Sequence, residues 1–255
     1  MDDIAARVER IEEKIEAACS RSGRKRQEIQ LMAVSKFHPP EAVESACKAG
    51  VRLFGESRVQ EGREKFSRFW DKFPRDGSLE LHLVGSLQRN KAKAAASFFD
   101  CIQSVDRDSL IDELGALTRE RESPLIIMLE YHTGEETKAG FPDLDSLFRA
   151  AERVLSFPGL RPMGLMTMAP LTDDQTAIRS SFRKLSHARD ELEKRFPDRA
   201  LEPDGHWSCL SMGMTNDYTI AIEEGSNLIR LGTAIFGEPA AEASNKKFES
   251  IEQKA

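Results

Sequence analysis

Eight short apolar runs, each followed by sequence that suits a helix, set the tightest limit on what this chain can fold into. They fall at residues 31–34, 51–55, 81–85, 101–105, 124–129, 163–168, 209–211 and 228–231. Short, largely apolar runs read as strands buried on both faces, and such strands alternating with helices indicate a parallel sheet. A count of eight points to a closed (β/α)8 barrel. The open doubly wound sheet is the alternative, but its glycine loop G-x-G-x-x-G is absent. No linker, repeat or low-complexity segment interrupts the pattern, so residues 1–255 are expected to form one domain.

The helical stretches carry their own punctuation. Ile4, Val8, Ile11, Ile15 and Ala18 share one face of an opening helix that ends near Ser22 and Gly23. Pro39 and Pro40 start a second helix, which Gly50 can close. A third is expected over 56–69, a fourth over 90–97, and one after Asp106 as N-cap. Residues 144–155 are amphipathic. Thr172 and Gln175 have capping-box spacing for a helix reaching Arg195. A short helix is expected over 216–224 with Gly225 behind it, and a charged helix or frayed tail from about Ser244.

Bulk properties narrow the function. A net charge of -6 with 31% charged residues argues against broad electrostatic binding of nucleic acid. No apolar stretch approaches the roughly 20 residues of a membrane span. Met1-Asp2-Asp3-Ile4 lacks the basic and apolar regions of a secretory signal, so the expected location is the cytoplasm. Cys19, Cys47, Cys101 and Cys209 are far apart, which suggests free structural thiols rather than zinc ligands or a disulfide framework.

A parallel barrel places chemistry at the C-terminal ends of its strands, with phosphate sites after strands seven and eight. Lys36 follows the first strand. A lysine in the partly apolar surroundings of a strand exit has a larger share of neutral amine, which capture of an aldehyde requires. Ser211-Met212-Gly213-Met214-Thr215 follows strand seven, and Arg230-Leu231-Gly232-Thr233 ends strand eight. Their small and hydroxyl residues let backbone N–H groups approach an anion, and the helix near Asn216 adds its N-terminal dipole. Other polar residues have plainer readings. His82 reads as a hydrogen-bonded layer residue more than a cofactor contact. Gln88, Asn90 and Lys91 form either a surface beside the pocket or a solvated helix start. Glu56 either orients a neighbour or favours a helix start by its charge. Met166 and Met212 pack against a ring or the core.

In order along the chain, several segments together resemble the pyridoxal phosphate homeostasis proteins, single-domain relatives of the alanine racemase barrel. They are Ala33-Val34-Ser35-Lys36, Phe54-Gly55-Glu56 with Val59-Gln60-Glu61, His82 through Lys91, Ser104-Val105-Asp106, Gly164-Leu165-Met166-Thr167, Leu210 through Met214, and Ile229 through Gly237. The resemblance implies a TIM barrel of the alanine racemase N-terminal-domain type. It implies pyridoxal 5'-phosphate held as an internal aldimine on Lys36, with Ser211, Gly213, Gly232 and Thr233 around the phosphate; Met166 is a further candidate cofactor contact. Arg230 looks like the arginine that faces the pyridine nitrogen. Its plain alternative is a rim salt bridge. Two positions depart from the family pattern: Ser57 stands where an asparagine is usual, and Leu81 where a tryptophan is common.

An arginine partner leaves the pyridine nitrogen unprotonated and the cofactor a weak electron sink. Racemisation also needs a second acid or base on the opposite face. Tyr131 and Tyr218 are the only tyrosines, and neither is placed opposite Lys36 by the sequence. The resemblance therefore favours a non-catalytic carrier in cofactor homeostasis over a weak racemase or a sensor module. Apo-enzymes that use the cofactor are the expected recipients, with no nucleic acid or membrane partner, and the chain is expected to be a monomer.

Overall fold

The computed structural model describes residues 3–73, 75–134, 139–197 and 207–239. Eight parallel strands close a barrel in sequence order: β1 (Gln30–Val34), β2 (Leu53–Glu56), β3 (Glu80–Leu83), β4 (Cys101–Val105), β5 (Leu125–Glu130), β6 (Leu160–Met166), β7 (Cys209–Ser211) and β8 (Leu228–Leu231). The helices outside it are α1 (Ile4–Ser22), α2 (Pro40–Lys48), α3 (Val59–Trp70), α4 (Ala92–Ala96), α5 (Asp108–Leu117), α6 (Leu144–Leu155), α7 (Gln175–Arg195), α8 (Tyr218–Glu223) and α9 (Thr233–Phe236). No helix among the described residues is long and apolar enough to cross a membrane. The tail expected from Ser244 lies outside the described residues.

Two cores result from the twofold period of the strands. Between barrel and helices lies a large apolar shell that includes Phe54, Leu81, Ile102, Ile127, Leu165 and Ile229. The barrel interior holds a smaller cluster of Met32, Val34, Leu53, Cys101, Met128, Met166, Cys209 and Leu228. All four cysteines are buried and free. The α1 helix lays Val8, Ile11, Ile15 and Ala18 against the shell and packs on α8, α9 and α2. It thereby covers the seam where β1 meets β8.

Several boundaries differ from the sequence reading for identifiable reasons. The β6 strand starts at Leu160, upstream of Pro162, because its pairing with β5 shifts register between Ile127 and Met128 and accommodates a residue without an N–H. Asp174, not Thr172, caps α7: its carboxylate accepts from Thr176 N and Ala177 N, while the Thr172 hydroxyl accepts from Asp174 N. Arg107 is the N-cap residue of α5, and Asp106 pairs with the Arg107 guanidinium instead of capping. Glu56 ends β2 and is wholly buried, so it does not begin α3.

Candidate functional site

The β1–β8 register brings the two ends of the barrel strip together. Ala33 lies opposite Leu231, so Lys36 and the Gly232–Thr233 segment leave the barrel side by side. His38 stacks on Phe236 with ring centroids 5.0 Å apart and ties the two exits. Lys36 itself is exposed. That corrects the partial burial expected at a strand exit: the residue lies in a turn beyond β1, and its described contact is the Phe37 ring, with Nζ 5.9 Å from the centroid. The lysine buried at this exit is Lys65 of α3. Its Nζ donates to Ser35 O at 2.5 Å, Glu56 Oε1 at 2.7 Å and Glu61 Oε1 at 3.2 Å.

Arg230 is buried at the end of β8, and burial pushes its guanidinium down to about 10. Nη1 donates to Ser211 O at 2.6 Å and to Ser211 Oγ at 2.7 Å, and Nη2 donates to Thr167 O at 2.8 Å. Because Ser211 Oγ accepts from Arg230, its own proton goes to Gln103 Oε1 at 2.7 Å. The Gln103 amide nitrogen then donates to His82 Nδ1 at 2.9 Å. That leaves the His82 proton on Nε2, facing Glu80 Oε2 at 3.1 Å. One polarised chain of hydrogen bonds thus crosses the lumen from Glu80 at the N-terminal end to Arg230 at the mouth.

This chain accounts for two candidates. His82 is a layer residue, as its strand position suggests. Ser211 is fully buried, and its hydroxyl is committed to Gln103 and Arg230. Without ligand, the Ser211 hydroxyl thus takes part in holding Arg230. Met166 is buried in the lumen beside this network, opposite Ser211 in register. Gln88, Asn90 and Lys91 are exposed around a single 3₁₀ turn, the solvated start of α4.

The remaining candidates form a backbone cradle. Gly213 has φ +99°, and a Cβ there would lie 2.6 Å from Ala221 Cβ. A Cβ on Gly232 would lie 3.3 Å from Val34 O. Thr233 is exposed, and its hydroxyl donates to Thr215 Oγ1 at 3.1 Å. The helix expected near Asn216 begins at Tyr218; Asp217 precedes it, and its carboxylate accepts from Met214 N at 2.5 Å. The short helix beside the cradle is α9, with Gly232 as its N-cap residue.

Sequence reasoning missed Glu130, Thr167 and Gln103, which only strand register brings to Arg230 and Ser211. Glu130 is buried and lines a small recess with Tyr131, Thr167 and Met168. Burial raises its carboxyl to about 7, with Asp106 adding to the rise and Arg230 opposing it. The folded chain therefore keeps a proton that an ordinary carboxyl, near 4.5, has released. Stability falls as pH rises from about 4.5 through 7 and levels off above that, a loss of roughly 3 kcal/mol. Glu130→Gln is expected to flatten this slope in thermal melts across pH; an unchanged slope would assign it to another group.

The Vibrio cholerae pyridoxal phosphate homeostasis protein is 37% identical over 239 residues, 93% of this chain and 97% of that protein. Residues 7–239 match the alanine racemase N-terminal domain family. The chain belongs to the pyridoxal phosphate homeostasis protein family. Solved structures agree with that membership. A protein of unknown function from Bifidobacterium adolescentis superimposes with a TM-score of 0.83 at 32% identity, covering 91% of this chain and 94% of that one. PipY of Synechococcus elongatus PCC7942, solved with PLP bound, gives 0.74 at 32% identity, covering 88% and 100%. The barrel of this chain is thus of the alanine racemase type, and its β1, β7 and β8 exits are the ones the sequence motifs mark.

Proposed function

We propose that this chain binds pyridoxal 5'-phosphate at the C-terminal mouth of its barrel, holds it covalently through Lys36, and serves cofactor homeostasis without substantial turnover. The observation that carries the reading is the β1–β8 register, which sets an exposed lysine next to a glycine- and threonine-lined backbone cradle. The residues fit the group. Lys36 would supply the primary amine that captures the cofactor's aldehyde. Gly213, Gly232 and Thr233 would receive the phosphate: the glycines admit close backbone approach, and the exposed Thr233 hydroxyl would turn to it from Thr215. Arg230 would offer its remaining N–H groups to the ring nitrogen, and Met166 would pack against the ring.

The bound cofactor supplies an aldehyde for primary amines and an electron-withdrawing ring. Arg230 weakens the second property. Even with burial pushing it down to about 10, the guanidinium keeps its proton at neutral pH and gives none to the ring. Of the two tyrosines, Tyr218 is buried on α8, and burial raises the Tyr131 phenol further above its ordinary value. Neither is a ready acid or base at neutral pH. The names of the relatives support the same role. The reading includes a single domain, a cytoplasmic location, a monomer, and cofactor-dependent apo-enzymes as recipients.

The test is the absorption spectrum of the purified chain with added pyridoxal phosphate, before and after borohydride, followed by peptide mass mapping. A visible band that bleaches, with the added mass on Lys36, is expected. No band and no modified lysine would sink the reading. Amino-acid turnover abolished by Lys36→Ala would replace the carrier with a racemase-type enzyme. Thr233→Val is expected to weaken retention by roughly ten- to a hundredfold, the loss of one phosphate hydrogen bond. Equal retention by equilibrium dialysis would place the phosphate elsewhere.

A further inference from the structure

Lys36 lies between two peptide planes, and each is gripped by a charged side chain of α3. The plane before it ends in Ser35 O, which accepts from Lys65 Nζ at 2.5 Å and from His38 N at 3.1 Å. The plane after it carries Phe37 N, which donates to Glu61 Oε1 at 2.5 Å. Orientations of these two planes set φ and ψ of Lys36 and hence the direction of its side chain. Glu61 and Lys65 are one helical turn apart and bonded to each other, so the grips act together.

The base of this device is buried. Glu56 is fully enclosed; its Oε1 accepts from Ser35 Oγ at 2.6 Å and from Lys65 Nζ at 2.7 Å. All three hydrogens of the Lys65 ammonium are thus engaged. Phe37 sits at φ 64°, the only non-glycine residue with positive φ among those described. That conformation costs roughly 1–2 kcal/mol for a side chain of this kind. A strained residue beside a functional lysine persists only where its surroundings over-determine it.

We propose that Glu61 and Lys65, anchored by Glu56, are positioning residues that lock the Ser35–Lys36–Phe37 turn and aim the Lys36 amine at the cradle of β7 and β8. This rests on Lys36 being the capturing amine. The device explains how an exposed lysine can be well aimed: its backbone is fixed while its side chain stays accessible. It also explains why the buried lysine beside it takes no part in capture.

Two readouts test it on the full-length chain. The first is amide exchange without added cofactor. The Phe37 N–H is expected to exchange roughly tenfold faster or more in Glu61→Ala, and near the native rate in Glu61→Gln, whose amide oxygen still accepts. A native rate in Glu61→Ala overturns the clamp. The second is the share of bound pyridoxal phosphate that borohydride fixes to Lys36. That share is expected to fall roughly tenfold or more in Glu61→Ala and Lys65→Met but not in Glu61→Gln. Thr233→Val, in contrast, lowers total retention and leaves the share intact. Glu61 is partly exposed, so Glu61→Ala decides the matter should Lys65→Met not fold. A native chain with no mass on Lys36 overturns the capture reading underneath. A native chain that carries it, with Glu61→Ala carrying the same share, overturns the positioning role alone.

Discussion

Lys36→Ala is expected to fold like the native chain and to retain no pyridoxal phosphate after borohydride reduction and denaturation. The folding half of this result follows from exposure. The side chain contacts the Phe37 ring at 5.9 Å and has no other described partner, so truncation belongs with surface changes worth within about 0.5 kcal/mol. The binding half follows from the neighbouring amine. Lys65 is near enough to be a substitute nucleophile, but Ser35 O, Glu56 and Glu61 occupy its hydrogens. Removing it from that set would leave Glu56, already with an unpartnered Oε2 among the described atoms, without its cation. The visible band should therefore vanish rather than move to another lysine. Peptide mass mapping checks it: added mass on Lys65 in the variant would show that the buried cluster opens.

The contrast between those two lysines shows what a sequence can reveal here. Lys36 was legible because it ends a short apolar run and opens onto a Pro pair. Gly232 and Thr233 stood out as candidates because they are small and hydroxyl residues at the end of the last barrel strand. The barrel itself was legible from eight runs with helices between them. Lys65 was not legible. In sequence it is one more cation four residues from a glutamate on a charged helix, a pattern that is usually solvated. Its burial depends on how α3 lies across the β1 exit. The lumen network was hidden for a related reason. Glu80, His82, Gln103, Ser211 and Arg230 come from four strands, and only the closed register aligns them. The Ser211–Arg230 bond was hidden for the same cause: a hydroxyl in a small-residue run suggests a phosphate ligand, and nothing local shows that its inward strand position also brings it to Arg230.

Arg230→Met is expected to destabilise the chain by about 3–5 kcal/mol at neutral pH, and by less in acid. The guanidinium's donors are lost from two buried carbonyls and one hydroxyl, and methionine offers none in return. The pH dependence comes from Glu130. Arg230 is the cation that opposes the rise of its carboxyl, so without it the folded-state value climbs beyond about 7. The folded chain then holds the Glu130 proton over a wider range than the unfolded chain does, and stability keeps falling with pH past the point where the native curve levels. In acid both states carry the proton and that part of the penalty is absent. Glu130→Gln in the Arg230→Met background should therefore restore stability at high pH and do little at low pH. The coupling between the two sites should be roughly 0.5–3 kcal/mol and grow with pH. A double-mutant cycle by chemical denaturation at two pH values measures it. Coupling that is absent at both would mean the two charges do not sense each other across the mouth.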